Sequence, residues 1–257
     1  MRLFILPAAL LAAFCFYLAC PQADGVFLAP LHALYGKTRR LCAAKDGSID
    51  EPFALSMFLF LVLLIPSALG ALHPIVSVLL LAPTCSAPAV IRAAGKAKRD
   101  LDAGVYANNI PVYEALVRDT CSALAPAFVL HGCAPLLLAA VGMPLYMGCG
   151  LAWCFLALQA VKDELSQAGK LFAGLSKIAD KALTGLFLLS CGLVGRNPLL
   201  TLGRGAQNRL LSILGIQQDE TETHAPVAGD ISQAVFLCIF CLVLLCLLVS
   251  LVIFPVV

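Results

Sequence analysis

Four stretches of this chain contain no Asp, Glu, Lys or Arg: residues 3–23, 52–91, 120–161 and 231–257, of 21, 40, 42 and 27 residues. A helix that crosses a bilayer needs roughly 20 apolar residues at about 1.5 Å of rise each. The outer windows therefore hold one span apiece, and each middle window is long enough for two spans joined by a tight turn. Both middle windows carry breakers where the turn would fall, Leu72-His73-Pro74 after Gly70 in one and Gly142-Met143-Pro144 in the other. Proline removes a helix donor and glycine permits turn geometry. The expected fold is all-α: a polytopic transmembrane helix bundle of about six spans, near 3–22, 53–72, 74–92, 122–141, 144–161 and 233–254. It is expected to form one integral membrane domain over 1–257, with amphipathic helices on the cytoplasmic side.

Composition supports the same class. The chain is 61% apolar and 12% charged, against roughly half and a quarter for soluble proteins, so the lipid bilayer is its first expected partner. A further apolar piece, residues 182–195, has 14 residues between Lys181 and Arg196. At that length an interfacial segment is expected, with a short span in a thinned bilayer as the alternative.

Positive charge accumulates in short loops on the cytoplasmic side. Lys37, Arg39, Arg40 and Lys45 precede the second span, Arg92, Lys96, Lys98, Arg99 and Arg118 follow the third, and Lys162, Lys170, Lys177 and Lys181 follow the fifth. Six spans put all three groups on one side, read as cytoplasmic, with the N-terminus outside. The turns at His73 and Met143 then face out. The net charge of +2 is no footprint for nucleic acid, and none is expected as a partner.

The twelve Cys lie mostly inside the apolar windows, where Cys behaves as a small apolar residue, so neither a disulfide scaffold nor a metal site is expected. Leu18-Ala19-Cys20 has the look of a cleavage site after a signal segment, but a single Arg in the n-region and Tyr17 favour a retained first span. P-loop, His-Glu-x-x-His, paired G-x-G-x-x-G and nucleophile-elbow patterns are missing. The four His stand apart at 32, 73, 131 and 224, and His131 alone falls inside an expected span, where it has a structural or a functional role.

Between the spans, residues 92–120 have helical composition in two pieces, broken at Asn108-Asn109-Ile110-Pro111, and are expected along the membrane surface. Glu114 and Arg118 share a helix face at i,i+4 and can pair. Residues 162–180 alternate Leu165, Leu171, Phe172, Leu175 and Ile178 with Lys, an amphipathic surface helix. Acidic and turn-rich, residues 217–229 read as a linker.

The order of segments carries a resemblance. Ala125-Pro126-Ala127-Phe128, Tyr146 near the start of the fifth span, residues 175–188 after an amphipathic loop, and Gly229-Asp230-Ile231-Ser232-Gln233-Ala234 entering the last span are similar to the CbiB/CobD and AmpE membrane protein superfamily. CbiB/CobD proteins are adenosylcobinamide-phosphate synthases, which join an aminopropanol arm to a corrinoid carboxylate in an ATP-dependent amide synthesis. The resemblance implies a divergent inner-membrane, cobalamin-biosynthesis protein with a corrinoid substrate and Mg-ATP if the activity is retained. In that case Glu114 and Asp119 would be catalytic, and Arg118 and Tyr146 would contact substrate or cofactor.

The alternative is a non-catalytic, AmpE-like sensor or partner protein. Ahead of Ala-Pro the family carries Glu-x-x-x-Glu-Asn-x-x-Asp. Here Glu114 takes the first place, while Arg118 and Asp119 stand where Glu and Asn would be. After the family's Tyr come Asn and Asp, and here Gly150 and Trp153 follow Tyr146. A small-solute transporter, a third class, would need polar groups deep in the bundle, where only His131 and a few Ser and Thr qualify, and no inverted repeat is visible.

Overall fold

The computed structural model describes residues 4–20, 26–43, 49–104, 106, 109–195, 206–216 and 224–253. Lys45, Asn108, Arg196, Arg204, the extreme ends of the first and last expected spans, and most of the 217–229 linker lie outside those residues. The described residues form α-helices joined by short turns and carry no strand, beyond one isolated bridge between Ala43 and Ile49. Eleven helices are described: α1 Ile5–Ala19, α2 Leu28–Leu41, α3 Glu51–Leu72, α4 Pro74–Leu81, α5 Ala87–Asp102, α6 Ile110–Phe128, α7 Ala134–Gly142, α8 Gly148–Val161, α9 Ser166–Leu193, α10 Ala206–Leu214 and α11 Ala228–Ile253.

Four helical runs are long and apolar enough to cross a membrane: Glu51–Leu72, Pro74–Asp102, Ile110–Leu145 and Ala228–Leu251. Their outward faces show why water is the wrong solvent. Phe60, Leu64, Ile65 and Leu69 of α3 and Phe236, Leu247 and Leu251 of α11 are exposed. Apolar surface of that extent calls for lipid or a partner to cover it. Helices α1 and α8 are apolar but have 15 and 14 residues.

Both breakers end helices as expected. His73 closes α3 and caps α4, its Nδ1 accepting from the Ile75 N–H at 3.2 Å, with Pro74 in the first turn. After α7, Met143–Leu145 form a 3₁₀ turn, and Tyr146 adopts φ 60°. The Met147 N–H returns to the Gly142 carbonyl and the Tyr146 N–H to that of Met143, the paired closure in which a left-handed residue, usually glycine, terminates a helix.

The helices run further than the expected spans did. The charged piece 92–102 belongs to α5, which starts at Ala87 after the 3₁₀ turn Ala82–Thr84, because the Ala, Lys and Arg after Val90 are strong helix formers and the single Gly95 among them does not end the helix. Likewise the second piece of the 92–120 loop is the start of α6, capped by the Asn109 side chain and running on toward Leu145. These pieces are helix extensions where separate surface helices were expected. The apolar piece 182–195 is no separate element either, since α9 runs without a break from Ser166 to Leu193. Helices α2 and α10 arise where the sequence suggested loops.

The run Ile110–Leu145 changes winding midway. Residues Val129–Cys133 form a π-turn, with Pro126 before it and Pro135 after it. Proline withdraws a backbone donor and crowds the preceding turn, and a wider turn absorbs that disruption without ending the helix. His131 sits in this turn.

The chain divides into two compact units, one of Met1–Ser86, Ala134–Ile178 and Cys246–Val257, the other of Ala87–Cys133 and Ala179–Leu245. In the first unit α3 and α8 pack antiparallel at very close range. The Cys154 thiol points to the Leu59 carbonyl at 3.4 Å, and Gly150 lies against the Leu63 carbonyl and Ser67. Helix α4 joins them through the Trp153 indole N–H, which donates to the Leu80 carbonyl at 2.8 Å, and α1 lies alongside with the Tyr17 hydroxyl donating to the Pro83 carbonyl at 3.4 Å. In the second unit α6 packs against α5 and α10.

Candidate functional site

In the second unit, the face of α6 that carries Glu114 is amphipathic. Val117, Cys121, Leu124 and Ala125 are buried, and the charged residues of its first turns lie along the margin. Arg118 and Glu114 come together at 3.7 Å, their side chains 16% and 29% exposed, so this pair is partly shielded from water. Arg118 also donates from Nε to the Ile216 carbonyl at 2.9 Å. That carbonyl follows Gly215, whose φ of 73° terminates α10. Arg118 therefore fastens the chain just past the end of one helix to the side of another, through a backbone carbonyl.

Asp119 is exposed and lies about 140° around the helix from Glu114 at 100° per residue. Of the residues singled out by sequence, the fold brings Glu114 and Arg118 together and turns Asp119 another way. Tyr146 belongs to the first unit. It is about half exposed there, beside a cavity of about 110 Å³ lined also by Gly70, Ser77, Met143 and Cys149.

One buried acid carried no role in the sequence reading beyond its place in a segment match. Asp230, in the first turn of α11, is 2% exposed. Its Oδ2 accepts from the Val227 N–H at 2.9 Å, and His224 Nε2 lies 3.1 Å from Oδ1. Beside it, the Ala228 N–H donates to the Tyr113 hydroxyl at 2.8 Å, so α6 supplies a cap to α11. The signal available in sequence was an Asp at the head of a long apolar run, where helix dipole and unpaired N–H groups favour a carboxylate. That Tyr113 would meet it could not be read from residues 115 positions apart.

A second polar cluster, also missed, closes the end of the α3–α8 pair in the first unit. His32, Tyr35 and Arg39 follow one side of α2. His32 Nε2 meets Glu164 at 2.6 Å, the Tyr35 hydroxyl donates to Glu51 at 2.7 Å, and Arg39 Nε donates to Glu51 at 2.8 Å. Their i, i+3 and i+7 spacing is the pattern of one helix face. Tyr35 is 3% exposed, and its burial, then the hydrogen bond and negative charge of Glu51, push its hydroxyl well above the usual phenol range.

The sign of that shift gives a pH dependence. A group held protonated by the fold contributes stability that is complete below its unfolded pKa of about 10 and is lost as pH rises toward the folded value. The thermal midpoint of the full chain in detergent is expected to fall more steeply above pH 10 than that of Tyr35→Phe. Parallel curves for the two proteins would show that this hydroxyl is not held as described.

Among the described residues no three His, Cys, Asp or Glu side chains gather as a metal would require. Glu114 faces Arg118, and Asp119 lies about 140° around the helix from it, so the two carboxylates given as catalytic by the resemblance do not converge, and they do not offer the paired oxygen ligands that magnesium would need. No protein-family model, curated protein or solved structure matches the chain.

Proposed function

We propose that this chain is a multi-pass inner-membrane protein on a scaffold similar to that of the CbiB/CobD and AmpE proteins, acting as a non-catalytic membrane partner or sensor. In this reading α1 and α8 complete six spans, the N-terminus lies outside, and α2, the head of α6 and the head of α9 lie on the cytoplasmic side. The observation that carries it is the engagement of Arg118 with both Glu114 and the Ile216 carbonyl. The two charges that would head a synthase site instead form a strut between α6 and the end of α10. A partly buried pair with a backbone acceptor supports a structural role for both groups.

The synthase reading, a divergent cobalamin-biosynthesis enzyme acting on a corrinoid with Mg-ATP, is tested against this one in a synthase-deficient host. With membrane expression of the full chain confirmed, conversion of cobinamide precursors is expected to stay at the level of the empty host. Rescue that disappears in Glu114→Gln at unchanged expression would overturn the structural role and restore the enzyme.

A further inference from the structure

We propose that the outward face of α9 is a docking surface for anionic phospholipid headgroups. The inference rests on membrane embedding and is independent of whether the α6 strut is catalytic.

The inward face of α9 is fixed first. Phe172 stacks on Phe155 of α8 at 5.1 Å between ring centroids, and the Lys162 ammonium lies 5.2 Å over the Phe172 ring. Ala168 and Phe172 are buried along that side. With the rotation of the helix set by this contact, Lys170, Leu171, Gly174, Lys177 and Ile178 are all exposed, and Leu171 and Ile178 are 50% and 66% so. At 100° per residue the two Lys fall along one flank of this face and the two apolar side chains along the other.

Position supplies the second part. Helix α9 begins five residues after α8 ends, at the same end of the α3–α8 pair where Glu51, His32, Glu164 and Arg39 gather. The end of a membrane-crossing pair, marked by charge, is the level of the headgroups. There a helix with Leu and Ile on one flank and Lys on the other can bury the first and lift the second to phosphate. Helix α2, tied to this region through His32 and Glu164, presents the same chemistry outward, with Leu34, Lys37, Arg40 and Leu41 exposed. The exposed α9 face between Lys170 and Ile178 carries no carboxylate, so charge complementarity selects an anionic lipid over a zwitterionic one. Each Lys at such a surface is worth about fivefold in preference.

The test uses the full chain, one copy per nanodisc. Trp153 is the single Trp, so Trp153→Phe with Ile178→Trp leaves one reporter on the α9 face. Its emission is expected to shift to the blue and to be quenched several-fold more by brominated phosphatidylglycerol than by brominated phosphatidylcholine. The difference should collapse in Lys170→Gln/Lys177→Gln and persist in the matching Lys→Arg protein. Equal quenching by the two lipids, solvent-like emission, or a signal that requires two copies per disc would each overturn the proposal.

Because the Trp153 indole bonds to the Leu80 carbonyl, the protein with Trp153 intact carries a parallel measurement. In native mass spectrometry phosphatidylglycerol should be retained over phosphatidylcholine, and the double Lys→Gln change should remove the difference. No preference in the unsubstituted protein sinks the idea regardless of how the reporter variant folds.

Discussion

Gly150→Ala is expected to destabilise the first unit by about 3 kcal/mol or more, at the upper end of what overpacking costs. A Cβ at Gly150 would overlap the Leu63 carbonyl oxygen and Ser67 Oγ, and would stand 2.9 Å from the Leu63 carbonyl carbon. Because the obstruction is backbone of α3, no rotamer change relieves it, and the two helices must move apart. Separation breaks the neighbouring contacts together, including the Cys154 thiol at the Leu59 carbonyl. Small residues permit this approach in membrane helices, where close packing takes the place of a hydrophobic driving force between helices. Gly174→Ala on α9 is the control, since nothing lies within 4 Å of its added methyl. That change should be neutral or stabilise by up to about 1 kcal/mol from helix propensity alone. Unfolding of both proteins by detergent titration, followed by helical circular dichroism, measures the contrast. Equal midpoints for the two substitutions would mean that α3 and α8 are not in backbone contact.

The turns and the long apolar helical runs were legible because they depend on local chemistry. Pro74 with His73, and Pro144 with Gly142, interrupt apolar runs in a way that hardly depends on the rest of the chain. What escaped was set by partners far away in sequence. Helix α2 looked like a basic loop, yet its buried residues Leu31, Tyr35 and Thr38 form a stripe against α3 and α8. His32 and Arg39 in that stretch are each bonded to a distant carboxylate, His32 to Glu164 in the turn between α8 and α9 and Arg39 to Glu51 of α3. The same limit applied to α6. Glu114 and Arg118 could be paired by their spacing, but the Ile216 carbonyl, which makes the pair a strut, lies 98 residues beyond Arg118. Helix ends differ from span ends for another reason: charge ends only the part of a helix that suits hydrocarbon, and α5 and α6 carry their charged pieces in the same helix.

Asp230→Ala is expected to loosen the head of α11 by about 3 kcal/mol, the scale of a hydrogen bond to a charged group together with its helix-dipole interaction. The carboxylate is buried and takes the position from which a third-residue acid reaches back to the N–H that precedes the helix, here that of Val227. Alanine leaves that N–H without its acceptor and removes the partner of His224. Asp230→Asn keeps one acceptor oxygen and loses the charge, so its cost should be smaller, about 1 kcal/mol. Tyr113→Phe should also cost about 1 kcal/mol, because the Ala228 N–H loses its acceptor while the ring stays. Simple packing would leave the nearly isosteric Asp230→Asn and Tyr113→Phe at no cost, so a loss near 1 kcal/mol in each marks the capping role. Hydrogen exchange at the first turn of α11 in nanodiscs reads the local effect, with faster exchange at 227 and 228 in Asp230→Ala and little change in the middle of the helix. Exchange in the Asp230→Ala protein that matches the unsubstituted chain would show that Asp230 does not anchor this span.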